Sequence, residues 1–568
     1  MKKRLIYIAS LCLAMTAFPG CNDYLSEAPL DAPATGEFFN NQTEMNGGLN
    51  ALYKSVYWNF GNTAYQSVMD GWTDLALLRA PELGEGNFDV FNAHSSGIWR
   101  LAYTTIQRAN TMLEGMEKGK ANVPEAEYNR MQAEARVLRA WAYHYLAFMF
   151  GDVPLITKPL LPEEFYAQTR APKADVVSFI YSELDAAIPN LAYAPSQRGR
   201  VSKAVALGLK ARTALYNQEY QKVEEATRLI IDNAGLSLNP RFQDLFTKSG
   251  QEPNAGKEIM WEILYSNAEV PNQNWVPLGS ISRTAGGQSG RFPQQRLVDM
   301  FEARDGKRID ESALYDPNHP RLNRDRRLKY TVALPGDTLH MNLRTFVYDV
   351  YKNTTAIRSA DGTWNTGTNA DFDNPFGPGK SGVGLLHAKY TQTNENAFAS
   401  YVNYILMRYA EVLLMYAEAK IEQNELDASV VEALNQVRQR AGQPAVEAAI
   451  QNDQDKLRQL VRRERVAELA MEGFRWFDIR RWDIAPIVMP QQVVGISKNP
   501  DQQAPIPDFK TSPIHDLNSI PVYTGQLSPG AELRFFREQR YWFPKLMLLP
   551  VPQAERDINP KLSQNQGW

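Results

Sequence analysis

The chain contains very little cysteine, with Cys12 and Cys21 as its two copies in 568 residues. Basic residues at positions 2–4 precede an apolar run that ends near Phe18, and this pattern indicates a secretory signal of residues 1–20. The run is too short for a comfortable membrane span. Because Cys12 would leave with the signal, the mature chain would keep one cysteine, which excludes an internal disulfide.

Histidine is also scarce, and its six copies are spread along the chain without the HxH or HExxH spacing of zinc sites. A phosphate-binding glycine loop and the GxSxG elbow of serine hydrolases are both missing from the sequence. These patterns predict no catalytic residue, no metal and no cofactor.

An excess of positive charge is absent as well. Lys and Arg number 61 against 64 for Asp and Glu, and loss of residues 1–20 would make the chain more acidic. Proteins that bind nucleic acid usually present a strongly basic face. The charge balance therefore disfavours nucleic acid as a partner.

Cys21 directly follows Gly20 at the end of the apolar run. A small residue followed by cysteine at this place resembles a bacterial lipobox, although Phe18 and Pro19 depart from the usual residues. The resemblance predicts that Cys21 is the lipidated N-terminal residue of the mature chain, and an incidental cysteine after an ordinary signal is the alternative. Acyl chains would hold the protein at a membrane through ~0.8 kcal/mol for each buried CH₂.

Helical periodicity divides the rest of the chain into regions. The predicted regions are a signal peptide (1–20), a lipidated cysteine and spacer (21–45), N-terminal helical repeats (46–235), an irregular loop-rich region (236–402), C-terminal helical repeats (403–485) and an irregular C-terminal segment (486–568). Helices are predicted over 98–116, 125–150, 173–188, 203–216, 220–232, 404–423, 429–441 and 456–479, and strands over 258–265 and 345–351. The spacing of small residues and tyrosines over 211–231 is typical of a tetratricopeptide-type turn, so the fold class predicted is mainly α with a repeat scaffold.

Residues 458–482 are predicted to form one amphipathic helix, and its apolar face includes Glu464 and Glu468. Buried carboxylates need partners, because an unpaired buried charge is strongly destabilising. The predicted helix 404–423 carries a matching polar strip on an otherwise apolar cylinder. We therefore predict a structural ion-pair network between packed helices, with Arg408, Glu411, Glu418, Glu464, Arg465, Glu468 and Arg475 as members and with Arg480 and Arg481 close by.

A glycosidase is the sharpest enzymatic alternative, with either Glu464 and Glu468 or Asp371 and Asp373 as its two carboxyls. Carboxylates four residues apart on a buried helix face another helix rather than a cleft, and neighbouring arginines would hold both ionised when a general acid must stay protonated. The loop of Asp371, Asp373 and Asn374 lacks an ordered calcium-binding pattern and is interpreted as a solvated turn.

Carbohydrate binding fits the composition of the loops better. Sugar rings have apolar faces that stack on aromatic side chains, and their hydroxyls pair with Asp, Asn and Arg. Any one loop aromatic is more often a core residue than a binding platform, but together they indicate a binding surface. The candidate ligand-binding residues are Trp58, Trp72, Asp74, Arg79, Phe88, Phe91, Trp275 and Trp364.

The order of several motifs resembles the SusD/RagB family of outer-membrane nutrient-binding lipoproteins. These motifs are a cysteine after the signal, WRLAYTTIQRAN, EARVLRAWAYHYLAFMFGDVPL, LMRYAEVLLMYAEA, RERVAELAMEGFRWFDIRRW and LLPVPQAERDINPKLSQNQGW. One departure is Gln566, where the family usually has proline. The resemblance covers nearly the whole mature chain.

The resemblance implies a tetratricopeptide-like scaffold on which an irregular half shapes a ligand site. It implies a non-enzymatic protein, lipid-anchored at the outer membrane and exposed at the cell surface, that presents an oligosaccharide or polysaccharide to a TonB-dependent, SusC-like transporter. Three alternatives stay open: the same architecture binding peptides, a surface glycosidase, and a repeat scaffold with protein partners alone.

Overall fold

The computed structural model describes residues 38–60, 63–79, 88–266, 274–316, 320–372, 382–392, 395–496, 514–516, 518–522 and 536–568. Cys21, the predicted signal and most of the predicted spacer lie outside these residues. The described chain is mainly helical, which confirms the predicted fold class. Within these ranges, no helix combines the length and the apolar character that crossing a membrane requires.

Ten helices of seven or more residues form the scaffold of the described chain. They are α1 (Gln42–Val56), α2 (Ala93–Gly119), α3 (Glu125–Phe150), α4 (Lys173–Ala187), α5 (Lys203–Tyr216), α6 (Tyr220–Asn233), α7 (Tyr409–Glu422), α8 (Ala428–Arg440), α9 (Gln454–Leu469) and α10 (Arg475–Arg481). Neighbours in sequence pack together, as α2 does with α3, α3 with α4, and α5 with α6. The N-terminal and C-terminal helices join where α6 packs against α7.

Local signals explain where these helices begin and end. The side chains of Asn92, Ser202 and Asp453 accept hydrogen bonds from the first-turn amides of α2, α5 and α9. Helix α3 ends at Gly151, whose φ of 76° is readily adopted by glycine. Both the predicted helix 125–150 and the predicted helix 203–216 therefore have the bounds seen in the structure.

The strands are short and form small antiparallel sheets. Those used below are β1 (Ala76–Leu78), β2 (Ile259–Ile263), β3 (Arg291–Pro293), β4 (Thr338–Met341), β5 (Arg344–Val347), β6 (Thr354–Arg358), β7 (Trp364–Thr368) and β8 (Tyr404–Arg408). Strand β1 pairs with β3 and β2 with β8, while β7, β6, β5 and β4 form a four-stranded sheet in that order. Further two-residue to four-residue strands and short helices fill the irregular half.

Two predicted helices differ from the structure. Residues 404–408 form strand β8 against β2, and α7 begins at Tyr409, so Arg408 is not on the same helix as Glu411 and Glu418. A short, fully apolar run such as YILM has no periodicity that separates a buried strand from a buried helix.

The predicted single helix over 458–482 is also wrong, because α9 ends at Leu469 and α10 begins at Arg475. In the segment between the two helices, Met471 has a φ of 67° and Gly473 a φ of 90°. A Cβ atom on Gly473 would collide with the carbonyl oxygen of Gln66. The chain therefore turns here so that it can pack closely against the segment that contains Gln66.

Helix α9 lies between two hydrophobic cores. Leu457, Leu460 and Val461 belong to the core of the helical half, which we call the helical core. Val466 and Ala467 belong to the core of the irregular half, which we call the loop core. Glu464 and Glu468 lie at the junction of the two.

A buried ion-pair network fills this junction. Glu464 accepts hydrogen bonds from Arg327 (2.9 Å) and Arg438, and Glu468 accepts them from Arg327 (3.0 Å), Arg408 and Arg440. The network is balanced in charge: its cations are Arg327, Lys389, Arg408, Arg438, Arg440 and Arg463, and its carboxylates are Glu258, Glu302, Asp325, Glu464, Glu468 and Glu472.

The other predicted network members pair elsewhere. Glu411 pairs with Arg212 of α5 at 2.7 Å. Arg465 and Arg481 share Asp478 and Glu418. These pairs link α7, α9 and α10 inside the helical core, beside the network at the junction.

Glu468 is the central carboxylate of the junction, and its side chain is fully buried. Burial on its own raises the pKa of Glu468, but the charges of Arg440, Arg408 and Arg327 outweigh this effect and hold the pKa well below its ordinary value. The group is therefore ionised, which is unsuited to a general acid.

Replacing this carboxylate tests the network. We expect Glu468→Ala to lower the free energy of unfolding by about 3–5 kcal/mol, because it removes the carboxylate shared by three buried guanidiniums and leaves the network with an excess of positive charge. Asp455→Ala is the control, since Asp455 pairs with Arg458 at the exposed start of α9, and it should cost under about 1 kcal/mol. Urea unfolding followed by tryptophan fluorescence measures both, and equal effects would contradict the structural role of Glu468.

Asp70 gives a second prediction, on pH dependence. Its buried carboxylate accepts hydrogen bonds from the amides of Gly473 (3.3 Å) and Arg475 (3.2 Å) at the break between α9 and α10. Burial raises the pKa of Asp70 from 3.8 to about 6, although those amides oppose the rise. The folded chain holds this proton more tightly than the unfolded chain, so the stabilisation is complete below the ordinary pKa and is lost as the pH rises through about 6.

The comparison of wild type with Asp70→Asn isolates this effect from other titrating groups. We expect the difference in unfolding free energy, wild type minus variant, to fall by about 2 kcal/mol as the pH rises from about 4 to about 7. Urea titrations at several pH values measure it. A difference that does not vary with pH would show that Asp70 titrates normally.

Candidate functional site

Three of the predicted ligand-binding aromatics are core residues. Trp58 is fully buried with its ring 4.3 Å from that of Trp141. Trp72 packs edge-on against Trp476 at 5.9 Å, and Phe88 packs against the C-terminal Trp568. The prediction that Trp58, Trp72 and Phe88 contact ligand is therefore corrected, because all three side chains are buried.

Asp74 is also removed from the candidates. Its carboxylate forms a bidentate pair with Arg475 at 2.7 and 2.9 Å, and both side chains are buried. The pair ties the segment before β1 to α10, so Asp74 has a structural contact where the sequence predicted a ligand contact. Arg475 thus belongs to a pair of its own rather than to the junction network.

Phe91 and Trp364 are exposed but lie apart from each other in the fold. Phe91 precedes α2 beside Val90, whose carbonyl accepts a hydrogen bond from Gln553. Trp364 begins β7, the edge strand of the four-stranded sheet. Among the described residues, neither side chain forms a hydrogen bond or ring contact with another candidate.

Arg79 and Trp275, by contrast, meet at one loop, residues 282–289, which we call the 282–289 loop. The guanidinium of Arg79 donates to the carbonyl oxygens of Gln288 and Ser289. Trp275 precedes the short helix Val276–Ser280, and the carbonyl of Leu278 in that helix accepts from the amide of Gln288 at 3.1 Å. The structure therefore brings these two predicted residues to neighbouring segments.

Asp371 anchors the 282–289 loop through hydrogen bonds from its amides and hydroxyls. Its fully buried carboxylate accepts hydrogen bonds from the amides of Arg283 (3.0 Å) and Thr284 (3.2 Å) and from the hydroxyls of Ser282 and Ser289. Asp371 is a loop anchor and not the solvated turn residue that the sequence suggested. Asp373 and Asn374 lie outside the described residues.

Sequence reasoning missed the exposed apolar side chains around this loop. Asn274 donates to the carbonyl of Ser400 at 2.9 Å, and the helix after Trp275 packs against the turn that contains Phe398. Phe398 is 54% exposed and Trp275 is 37% exposed. Two exposed aromatics on hydrogen-bonded neighbouring segments form the apolar part of the site.

The turn between β4 and β5 completes the apolar part. Asn342 donates to the carbonyl of Ala285 (2.7 Å) and accepts from the amide of Ala397 (2.9 Å), so it joins the 282–289 loop to the turn of Phe398. Leu343, the next residue, is 65% exposed. Asn342 and Leu343 have φ values of 48° and 61°, which asparagine adopts readily and leucine rarely. The sequence therefore lacks the Asn-Gly pair that would have indicated this hairpin.

Arginines supply the polar part of the site. Arg344 donates to the carbonyl of Thr284 at 2.9 Å, and Arg283 is half-buried within the loop itself. The anchored 282–289 loop and the side chains on and around it define what we call the loop surface. These side chains are Trp275, Phe398, Leu343, Arg79, Arg283 and Arg344.

Residues 257–568 match the family model described as SusD family. The chain belongs to the SusD family. Residues 34–215 match a second model, described as starch-binding associating with outer membrane. The two matches together cover most of the SusD-family chain.

Individual relatives agree with this assignment. The SusD-like protein P2 of Formosa agariphila is 27% identical over 501 residues, which cover 85% of this chain and 91% of the relative. The crystal structure of a SusD-like carbohydrate-binding protein from Bacteroides fragilis has a TM-score of 0.75 and 26% identity, and the match covers 93% of this chain and all of the other. A second SusD-like structure from the same species has a TM-score of 0.73 and 22% identity, with 95% of this chain covered.

The described carboxyls that the sequence offered for a glycosidase have structural partners in this SusD-family chain. Asp371 is occupied by loop hydrogen bonds, and Glu464 and Glu468 are enclosed by arginines in the junction network. In the described part of the chain, no cluster of three His, Cys, Asp or Glu side chains is arranged to hold a metal ion.

Removal of the loop anchor tests this architecture. We expect Asp371→Ala to speed hydrogen exchange at the amides of Arg283 and Thr284 and to lower stability by about 3 kcal/mol, because buried donors lose their acceptor. Asp361→Ala is the matched control, since Asp361 accepts from an amide in an exposed turn of the four-stranded sheet. Unchanged exchange at residues 283 and 284 would contradict the anchoring role.

Proposed function

We propose that this SusD-family protein captures an oligosaccharide on the loop surface and delivers it to a TonB-dependent outer-membrane transporter. The observation that carries the proposal is the pair Trp275 and Phe398, two exposed aromatics on segments joined by a hydrogen bond. Large apolar side chains that stay exposed together usually mark a binding surface. A sugar ring has an apolar face that covers such a side chain.

The polar groups beside these aromatics suit the same ligand. Arg283 and Arg344 offer N–H donors, which pair with ring and hydroxyl oxygens of a sugar. Asp371 fixes the 282–289 loop from below, so little conformational freedom is lost when ligand binds. A rigid surface with a few donors beside an apolar platform is the usual arrangement of a small-ligand site.

Relatives support a glycan as the ligand class. The Bacteroides fragilis protein described above is named a carbohydrate-binding protein, and the family model over residues 34–215 is described as starch-binding. In this proposal the protein lies at the outer membrane, where a lipidated Cys21 anchors it and the folded chain is exposed at the cell surface. It acts as a binding protein that carries out no reaction, with the transporter as its protein partner.

Glycan binding by the full mature chain is the test. Affinity electrophoresis through gels that contain single polysaccharides identifies a ligand, and calorimetry with its oligosaccharides gives the affinity. We expect Trp275→Ala and Phe398→Ala each to weaken binding by about tenfold, through loss of stacking and apolar contact. Trp364→Ala is the matched control, because Trp364 is equally exposed but lies at the edge of the four-stranded sheet.

Three results separate the alternatives. Equal loss of affinity in Trp364→Ala would move the site away from the loop surface. Binding of peptide mixtures without binding of any glycan would support the peptide alternative, and release of new reducing ends from a bound glycan would support a glycosidase.

A further inference from the structure

Three guanidiniums surround the 282–289 loop within the loop surface. Arg79 donates to the carbonyls of Gln288 and Ser289, and Arg344 donates to the carbonyl of Thr284 at 2.9 Å. Arg283 is part of the loop. The three cations come from segments that are far apart in sequence, and the fold gathers them at one loop.

Arg79 bonds the end of the short loop that contains Arg283, so two positive charges share one loop. Burial lowers the pKa of Arg79, and the positive charge of Arg283 lowers it further. Like charges that share one loop repel each other, and a bound anion relieves this repulsion. Several buried arginines elsewhere in the described chain are compensated by a protein carboxylate, as in the pairs of Arg212 with Glu411 and Arg475 with Asp74.

Protein carboxylates of the described segments do not compensate the loop surface. Among these segments, no ion pair links a carboxylate to Arg79, Arg283 or Arg344. Asp371 lies beneath the loop, where its oxygens accept from loop amides and hydroxyls. Glu395 borders the turn of Phe398, but it faces the amide of Tyr401 and the charge of Lys248. The described residues of the loop surface thus carry an excess of positive charge, whereas the whole chain has a formal net charge of -3.

We infer that the loop surface takes an anionic oligosaccharide, whose uronate carboxylates or sulfate esters lie against Arg283 and are flanked by Arg79 and Arg344. This inference rests on the proposed function and specifies its ligand class. Guanidinium is the side-chain group that matches carboxylate and sulfate oxygens in a bidentate fashion. A neutral glycan would use the stacking platform but leave the repulsion between Arg79 and Arg283 in place.

Matched pairs of ligands test the inference with the full mature chain. One set of native gels contains an anionic polysaccharide: polygalacturonate, alginate, carrageenan or sulfated laminarin. A second set contains a neutral one: carboxyl-reduced polygalacturonate, laminarin, galactan or starch. We expect retardation by at least one anionic polysaccharide, with oligosaccharides that bind about tenfold more tightly than their neutral counterparts. The advantage should shrink as NaCl rises from about 0.05 M to about 0.5 M, because salt screens exposed charges.

Arg283 is the residue to change, because its described hydrogen bond to Asp371 uses the backbone amide and leaves the loop anchored. Arg283→Gln should weaken binding of the anionic oligosaccharide by about tenfold and leave a neutral one unaffected. Arg283→Lys should restore part of the affinity, since it keeps the charge without the planar fork. Lys456→Gln is the control, because Lys456 is an exposed cation at the start of α9.

The outcomes distinguish the inference from the function on which it rests. Equal or tighter binding of the neutral members overturns the inference and leaves glycan capture standing. Absence of binding to every polysaccharide overturns both, as does binding confined to acidic peptides.

Discussion

Glu468 and the three guanidiniums around it hold the irregular half to the helical scaffold. Arg327 comes from the loop-rich region, Arg408 from the end of β8 and Arg440 from the end of α8, and one carboxylate on α9 accepts from all of them. Helix α9 borders both hydrophobic cores, so its position determines how the cores sit against each other. Everything that the irregular half presents to solvent depends on this junction.

A junction of ions rather than of apolar side chains has a physical consequence. Buried ion pairs contribute little net stability compared with good apolar packing, but a mispaired arrangement is strongly penalised. The members of the network lie between Glu258 and Glu472 in sequence, and each ion is paired with one or more ions of opposite charge. Pairing of this kind favours one relative position of the segments, which are joined by long irregular loops. The apolar cores alone would discriminate less sharply between alternative packings.

The sequence predicts the periodic part of this fold well and the junction only in part. Amphipathic periodicity locates α3 and α5 to the residue, and it also places Glu464 and Glu468 on a buried face. It does not identify Arg327 or Arg440 as their partners, because those arginines come from segments whose positions depend on tertiary contacts. Periodicity also cannot detect the break at Gly473, which arises from close packing against Gln66.

Tertiary packing also explains why some of the residues predicted for the candidate site are buried and others are exposed. Trp58 and Trp275 both lie in polar, non-helical sequence, yet one is sealed against Trp141 and the other stays exposed. Local composition is similar around both, so the difference comes from which elements pack over them. Phe398 and Arg283 were missed because their significance lies in their neighbours, which the fold supplies.

The contrast between two kinds of arginine connects the junction with the loop surface. At the junction each guanidinium is matched by a carboxylate, and the whole network is balanced in charge. At the loop surface Arg79 and Arg344 spend their hydrogen bonds on backbone carbonyls, which orient the guanidiniums without neutralising them. Backbone acceptors fix geometry and leave the charge available, whereas carboxylates fix geometry and cancel it. Three arginines that are oriented at one anchored loop near exposed aromatics, without a described carboxylate partner, have the charge distribution of a preorganised anion-binding surface.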